Sequence, residues 1–416
     1  MRTRSIASGL AALALLAAAL SCQNINVETE TLQPPVISNG EPDFRYSMTP
    51  ARGRSVTITD PNGGADIYYT LNGSTPTNTV SATNYQYTVP FNLAGTEDAT
   101  TVKARAFKPG LRESSVASRT FELAWKKMSA TLTTARMGHG AVEVDGKIYI
   151  IGGFTDQSFG LMTADCEVYD VGTGVVSDLG YDLNSARAAF GIAVLNRKIY
   201  VIGGTVNGVP DPDPVLVPSA SIEVFDTQNP GNWTTVTDEL PVAIDNLCAA
   251  VSGGVIYIFP GDSGVGSLDT IYAYSPGSDP AAVTLSSGLY SDRTYFQAVP
   301  IGAGILLVGG SMSTKDVGSF DPSGPSISDL TDLTTSSYRF ASAADLGNVY
   351  LFGGYVIGIS AAVRKYSDSE GESQDFTMPA ALDYPAAASS GGYVYVSGGL
   401  VSMSSPPVNT IYRFTP

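Results

Sequence analysis

Six copies of one short pattern dictate what this chain can fold into. Each is an apolar, β-branched run closed by glycine: Lys147-Ile-Tyr-Ile-Ile-Gly-Gly153, Lys198-Ile-Tyr-Val-Ile-Gly-Gly204 and Val255-Ile-Tyr-Ile-Phe-Pro-Gly261. The series continues as Gly304-Ile-Leu-Leu-Val-Gly-Gly310, Asn348-Val-Tyr-Leu-Phe-Gly-Gly354 and Tyr393-Val-Tyr-Val-Ser-Gly-Gly399, with last glycines 51, 57, 49, 44 and 45 residues apart. A further apolar strand precedes each copy, and a third strand with an aromatic near its end follows, as in Val168-Tyr169-Asp170 and Val224-Phe225-Asp226. Such runs are too short for helices, suit a pleated surface, and are bounded by turn residues. Self-similarity at this period means a repeat architecture in which each unit buries its apolar face against the next. The expected fold class is all-β.

The pattern resembles the kelch repeat, whose diglycine ends the second strand of a four-stranded propeller blade. That resemblance implies a six-bladed kelch-type β-propeller. At the diglycine the chain turns beside a neighbouring backbone, where a Cβ would clash and φ turns positive. Pro260 replaces one glycine in the third repeat, and the later tryptophan of the repeat is clear only as Trp233. The sixth repeat ends after its third strand, whereas an orphan strand, Leu123-Ala-Trp125-Lys-Lys-Met128, stands before the first. Residues 123–130 are therefore expected to complete the last blade and remove an open sheet edge.

The chain before the propeller divides into three parts. Residues 1–21 have the form of an export signal: Arg2 and Arg4, then the twelve-residue apolar run Gly9–Leu20. The sequence Ala19-Leu20-Ser21-Cys22 resembles the lipobox of bacterial lipoproteins, which implies acylation of Cys22 and anchoring to the cell envelope. Ala19 stands where that motif usually has leucine. The outer membrane or cell surface is the expected location. Residues 22–35 read as a polar tether. Residues 36–122 hold short strands broken by turns, which suggests a small Ig-like β-sandwich. The stretch Ile67-Tyr-Tyr-Thr-Leu-Asn-Gly-Ser-Thr-Pro76 and Val102-Lys-Ala-Arg-Ala-Phe-Lys-Pro-Gly110 resemble the chitobiase/β-hexosaminidase C-terminal-type domain. The resemblance implies a fold and, first of all, a spacer role.

Charge and residue types exclude several chemistries. The formal net charge is −16, and loss of Arg2 and Arg4 with the leader makes it −18, which argues against a nucleic-acid partner. One histidine, His139, is present. The copper site of galactose-oxidase-type kelch propellers needs two, so neither that site nor a multi-imidazole zinc site is expected. No Gly-x-Ser-x-Gly elbow or phosphate loop occurs. No cofactor and no metal are expected. Cys166 and Cys248 lie in different repeats and are expected to be free thiols.

Candidate binding residues come from repeat register. Arg136, Arg187 and Arg293 stand 16 residues before the first glycine of their repeats, and Arg339 stands 14 before. Equivalent positions recur about the axis, so these arginines, with His139 nearby, are expected to form a partial ring that could recognise anions. The alternative is that each arginine satisfies carbonyls or a carboxylate within its blade. Loops after the diglycines should share one face. Thr205–Ser219, containing Asp211-Pro-Asp-Pro214, is the longest, and Phe154–Asp165 carries Phe154, Phe159, Leu161 and Met162. The expected function is binding of a protein or glycan by a monomeric, lipid-anchored propeller. The rival reading is a metal-independent enzyme similar to the sialic-acid mutarotase type of kelch propeller, and a purely structural envelope role is a third.

Overall fold

The apolar run before each diglycine is buried along almost its whole length, as in Ile148–Ile151 and Ile199–Ile202. The strand before it alternates instead, as in Gly191–Leu195, where Ile192 and Val194 are half-exposed. That difference fixes the geometry. The second strand is covered on both faces by neighbouring sheets, whereas alternate side chains of the first look onto a solvent channel. These features are seen in a computed structural model describing residues 31–38, 47–48, 55–93, 100–123, 125–208, 215–283, 285, 293–311, 314–345, 347–367 and 370–416. Among these residues all regular structure is β-strand.

Six antiparallel sheets make the propeller. Blade 1 comprises Gly140–Val144, Lys147–Ile151, Cys166–Asp170 and Val175–Asp178 in that order from the axis. Blades 2 to 5 repeat this order, with innermost strands Gly191–Leu195, Cys248–Ser252, Gln297–Ile301 and Ala341–Asp345. Blade 6 runs Ala386–Ser390, Tyr393–Ser397 and Thr410–Phe414, and its fourth strand is Trp125–Thr131. That strand pairs antiparallel with Thr410–Phe414, setting Trp125 opposite Phe414. Trp125 also packs edge-on against Phe352 of blade 5 and against Tyr412. An apolar cluster fills each junction between blades, such as Tyr200, Ile202, Leu240 and Ile258 between blades 2 and 3. Between blades 6 and 1 it holds Ile148, Tyr169, Tyr395 and Ile411.

The glycine pairs tie neighbouring blades together. The second glycine donates its N–H to the next blade: Gly153 to Arg187 O, Gly204 to Ile244 O, Gly310 to Ser337 O, Gly354 to Leu382 O and Gly399 to Arg136 O, at 2.8–3.0 Å. The last of these closes the ring. A Cβ on Gly152 or Gly203 would come within 2.6 Å of the same carbonyl, and both have φ near +60°. Glycine is thus required sterically as well as conformationally.

The small domain consists of two sheets. One contains Val36–Ser38, Ser55–Thr59 and Phe91–Asn92, and the other is built chiefly from Ala117–Leu123, Thr100–Phe107, Asp66–Thr70 and Asn84–Gln86. At the turn after Thr70 the left-handed residue is Gly73, while Asn72 Oδ1 accepts from the Ser74 N–H. The expected export signal, the expected acylation site Cys22 and most of the expected tether lie outside the described residues.

One expected loop is largely something else. Thr205–Asn207 pairs with the start of Leu216–Asp226, so the two arms of Thr205–Ser219 form a β-ribbon extending blade 2. Residues 209–214, with Asp211-Pro-Asp-Pro214, lie outside the described residues.

Candidate functional site

Residues from all six blades meet where the innermost strands begin. Counting back 14 residues from the first glycine of each pair, or from Pro260, selects Gly138, Ala189, Asn246, Tyr295, Arg339 and Tyr384. Every one of them has φ between 53° and 58°. Backbone hydrogen bonds run from blade to blade through this set: Ala189 N–H to Gly138 O, Asn246 to Ala189, Arg339 to Tyr295, Tyr384 to Arg339 and Gly138 to Tyr384, at 2.8–3.0 Å. A left-handed residue in each blade turns its amide sideways to reach its neighbour. Non-glycine residues pay strain for this conformation, and the collar of hydrogen bonds holds them there.

The arginines divide between the two readings given above. Only Arg339 belongs to the collar. Arg136 is wholly buried inside blade 1, where Nη1 donates to Gly152 O and Asp165 O at 2.8 Å and Nη2 meets Glu167 Oε1 at 2.6 Å. Arg187 repeats the arrangement, with Gly203 O at 2.9 Å and Glu223 Oε1 at 2.5 Å. Arg293 is buried and donates to Asp316 O at 3.4 Å. The offset of two residues decides the outcome. At 16 before the glycine the side chain points back into its own blade, toward the third strand. At 14 it stands at the channel. Blade 5 has Ser337 at the inward position, and there Arg364 of the third strand faces Glu372 instead.

Arg339 sits in a basket of aromatic rings. Its guanidinium carbon is 5.0 Å from the Tyr338 ring centroid, 5.5 Å from Tyr355, 5.5 Å from Phe159 and 6.0 Å from Tyr295, within cation–π range. Asp383 completes it, accepting from Nε at 3.1 Å and pairing with Nη2 at 2.8 Å. Burial pushes the Asp383 carboxyl up to about 6, although Arg339 and hydrogen bonds pull the other way. The side chain of Arg339 remains 13% exposed.

Tyr384 lies across the channel. Its hydroxyl donates to Asn246 Oδ1 at 3.1 Å, which joins blade 6 to the opposite blade 3. The ring passes beside Gly138, where a Cβ would come within 3.0–3.2 Å of it. Below this bar is a chamber of about 120 Å³, lined in part by His139, Phe190, Gln297 and Ser342. His139 is buried there and shares a 3.0 Å hydrogen bond between Nε2 and Ser397 Oγ. Burial, reinforced by Arg136, lowers its pKa to about 3, so the imidazole is neutral at physiological pH. Phe154 is buried and bridges to Met137 and Met162, supporting Phe159 from beneath rather than facing solvent.

The loops around this mouth expose aliphatic tips. Val265 is 98% and Ile357 96% exposed, and Leu161, Val215, Val401 and Met403 are also exposed. The segments Tyr355–Ala361 and Leu400–Asn409 contain no charged residue, in a chain of net charge −16. Sequence reasoning did not single out Tyr295, Tyr338, Tyr355, Tyr384 or Asp383. The constant spacing of 14 was the available signal for the collar members, and no left-handed glycine marked it except Gly138.

Comparison with known proteins supports the architecture. Kelch motif matches cover residues 135–180 and 186–236, and the family described as Fn3 associated matches residues 56–121. The latter, rather than the chitobiase type, is what matches the small domain. No curated protein matches the chain. A solved structure entitled "Structure of YjhT" aligns with a TM-score of 0.56 and 11% identity, covering 68% of this chain and 95% of that one. At that identity the likeness speaks to fold alone. Six four-stranded blades, five of them carrying paired glycines, define a kelch-type β-propeller. Over residues 135–236 the chain is similar to kelch repeats, and over residues 56–121 to the Fn3-associated family.

Proposed function

We propose that the chain is a lipid-anchored envelope protein whose propeller holds a protein partner on the face of the diglycine loops. The observation that carries this reading is the crown of exposed aliphatic tips around a floor of tyrosines and one arginine. Exposed apolar residues clustered on one face mark interaction sites, and interfaces favour tyrosine and arginine in their centre and few charges. A glycan is the second reading, favoured by the half-buried Tyr295, Tyr338 and Tyr355 at the floor. Arg339 is committed to Asp383 and Tyr384 lies across the passage, so the geometry favours binding over sugar isomerisation at this mouth. Acylation of Cys22 supplies the anchor in this proposal.

The test is cross-linking on intact envelopes, together with a glycan array probed with the same protein. Val265→Asp combined with Ile357→Asp should abolish a specific cross-linked species, and Val175→Asp, an exposed apolar residue on blade 1, should leave it. Array binding with no crown-dependent cross-link would establish the glycan reading, and equal cross-linking by both variants would overturn the face assignment. Cys22→Ser should move the protein from the membrane to the soluble fraction.

A further inference from the structure

The channel continues below the Tyr384 bar and widens toward the opposite face. Each innermost strand runs from the collar to a hairpin, so its channel-facing side chains form tiers. The first tier, 11 residues before the first glycine or Pro260, is Ala141, Ile192, Ala249, Ala298, Ser342 and Ala387. The second, two residues on, contains Val194, Val251, Pro300 and Ala344 with Glu143 and Ser389. All these residues are half-exposed or, for Pro300, exposed. Four alanines and a serine in one tier keep the bore open. The space they enclose is about 500 Å³, and Ala141, Ile192, Gln297, Ser342 and Ala387 line both it and the smaller chamber above. Cavities of a few hundred Å³ with mostly apolar walls and a few polar groups are the usual form of small-molecule sites.

Polar groups are concentrated at the closed end. His139 lines the small chamber, and its Nδ1 is buried with no hydrogen-bond partner among the described residues. Gln297 is there too, its Oε1 accepting from Ser342 Oγ at 3.0 Å. Buried polar atoms normally find partners. At the open end Glu143 is the only charged residue of the lining among the described residues.

We propose that this blind axial tunnel is a second binding site, for a slender neutral molecule with an apolar body that enters hydroxyl-first, such as a medium-chain primary alcohol. The apolar body displaces water from the alanine tier, and the hydroxyl reaches the Gln297 amide and the Ser342 hydroxyl, which line both chambers. An anionic head group left at the rim meets Glu143 in a chain that is already strongly acidic.

The site is tested with the purified chain and the neutral fluorophore N-phenyl-1-naphthylamine, displaced by 1-octanol. Fluorescence should rise on binding and fall with 1-octanol, and octanoate should compete at least about tenfold more weakly. Ala298→Leu and, as a milder filling, Ala387→Val should each weaken binding about tenfold or more while thermal unfolding stays near wild type. Val265→Asp with Ile357→Asp, on the other face, should leave it unchanged, which separates this site from the partner face. The proposal is overturned if the fluorophore does not bind, or if its displacement by octanol survives in the folded filling variants. Equal competition by octanoate would overturn the assignment to neutral ligands.

Discussion

Replacing Arg136 by methionine isolates what the buried arginines do. The guanidinium satisfies Thr134 O, Gly152 O and Asp165 O and neutralises Glu167, which is almost wholly buried. Methionine retains much of the apolar stem and removes all four partners. Glu167 then keeps only the Thr133 and Thr134 amides. Breaking a buried pair from one side costs about 3–5 kcal/mol, because the remaining charge is left uncompensated. Adding Glu167→Met removes that charge but strands the two amides, so the double variant should recover only part of the loss, with coupling of roughly 1–3 kcal/mol. Urea unfolding followed by tryptophan fluorescence reads this as a lower midpoint, by about 1 M or more for the single variant. Arg339→Met, by contrast, leaves Asp383 able to take up a proton and should cost less. An Arg136→Met midpoint equal to wild type, or strictly additive single and double variants, would refute the account of Arg136 as a blade-internal strut.

Two further outcomes follow from the geometry. Trp125→Ala removes a buried indole that packs on Phe352, Tyr412 and Phe414, and should cost about 3–5 kcal/mol. Calorimetry should show the transition of the propeller falling, and an unmoved transition would contradict strand exchange at blade 6. His139 has a folded pKa lowered to about 3 from 6.5, so between these values the unfolded chain binds the proton and the folded one does not. Its stabilising contribution is complete above pH 6.5 and lost as pH falls, at up to about 1.4 kcal/mol per unit. His139→Gln should flatten that slope, and NMR of this single imidazole should show it neutral at pH 4.5.

The blade count was legible because each diglycine is a steric necessity, written as a residue type that no other side chain imitates. Closure was legible for a related reason: Trp125 is one of only two tryptophans and stood outside any complete repeat. The candidate site was less so. Left-handed backbone at Ala189, Tyr295, Arg339 and Tyr384 carries no mark in the sequence, since hydrogen bonds between blades impose it. For the arginines the spacing left two directions open, and Arg136 and Arg187 take the blade-internal one. Arg136 and Arg187 face carboxylates on the third strand, Glu167 and Glu223, that the register of the diglycine does not reveal. Arg364 and Glu372 show the same physical need met from another strand.

The exchange of one strand at blade 6 has a consequence for how the molecule comes into being. Asn409 Nδ2 donates to Leu132 O across a sequence separation of 277 residues. Bringing such distant segments together carries an entropic cost before any reward. Five sheets are able to form as the chain emerges, but Trp125–Thr131 must wait unpaired until the final repeat arrives. A chain in which Thr410–Phe414 has not yet docked leaves the edge of Trp125–Thr131 open to pairing with other strands.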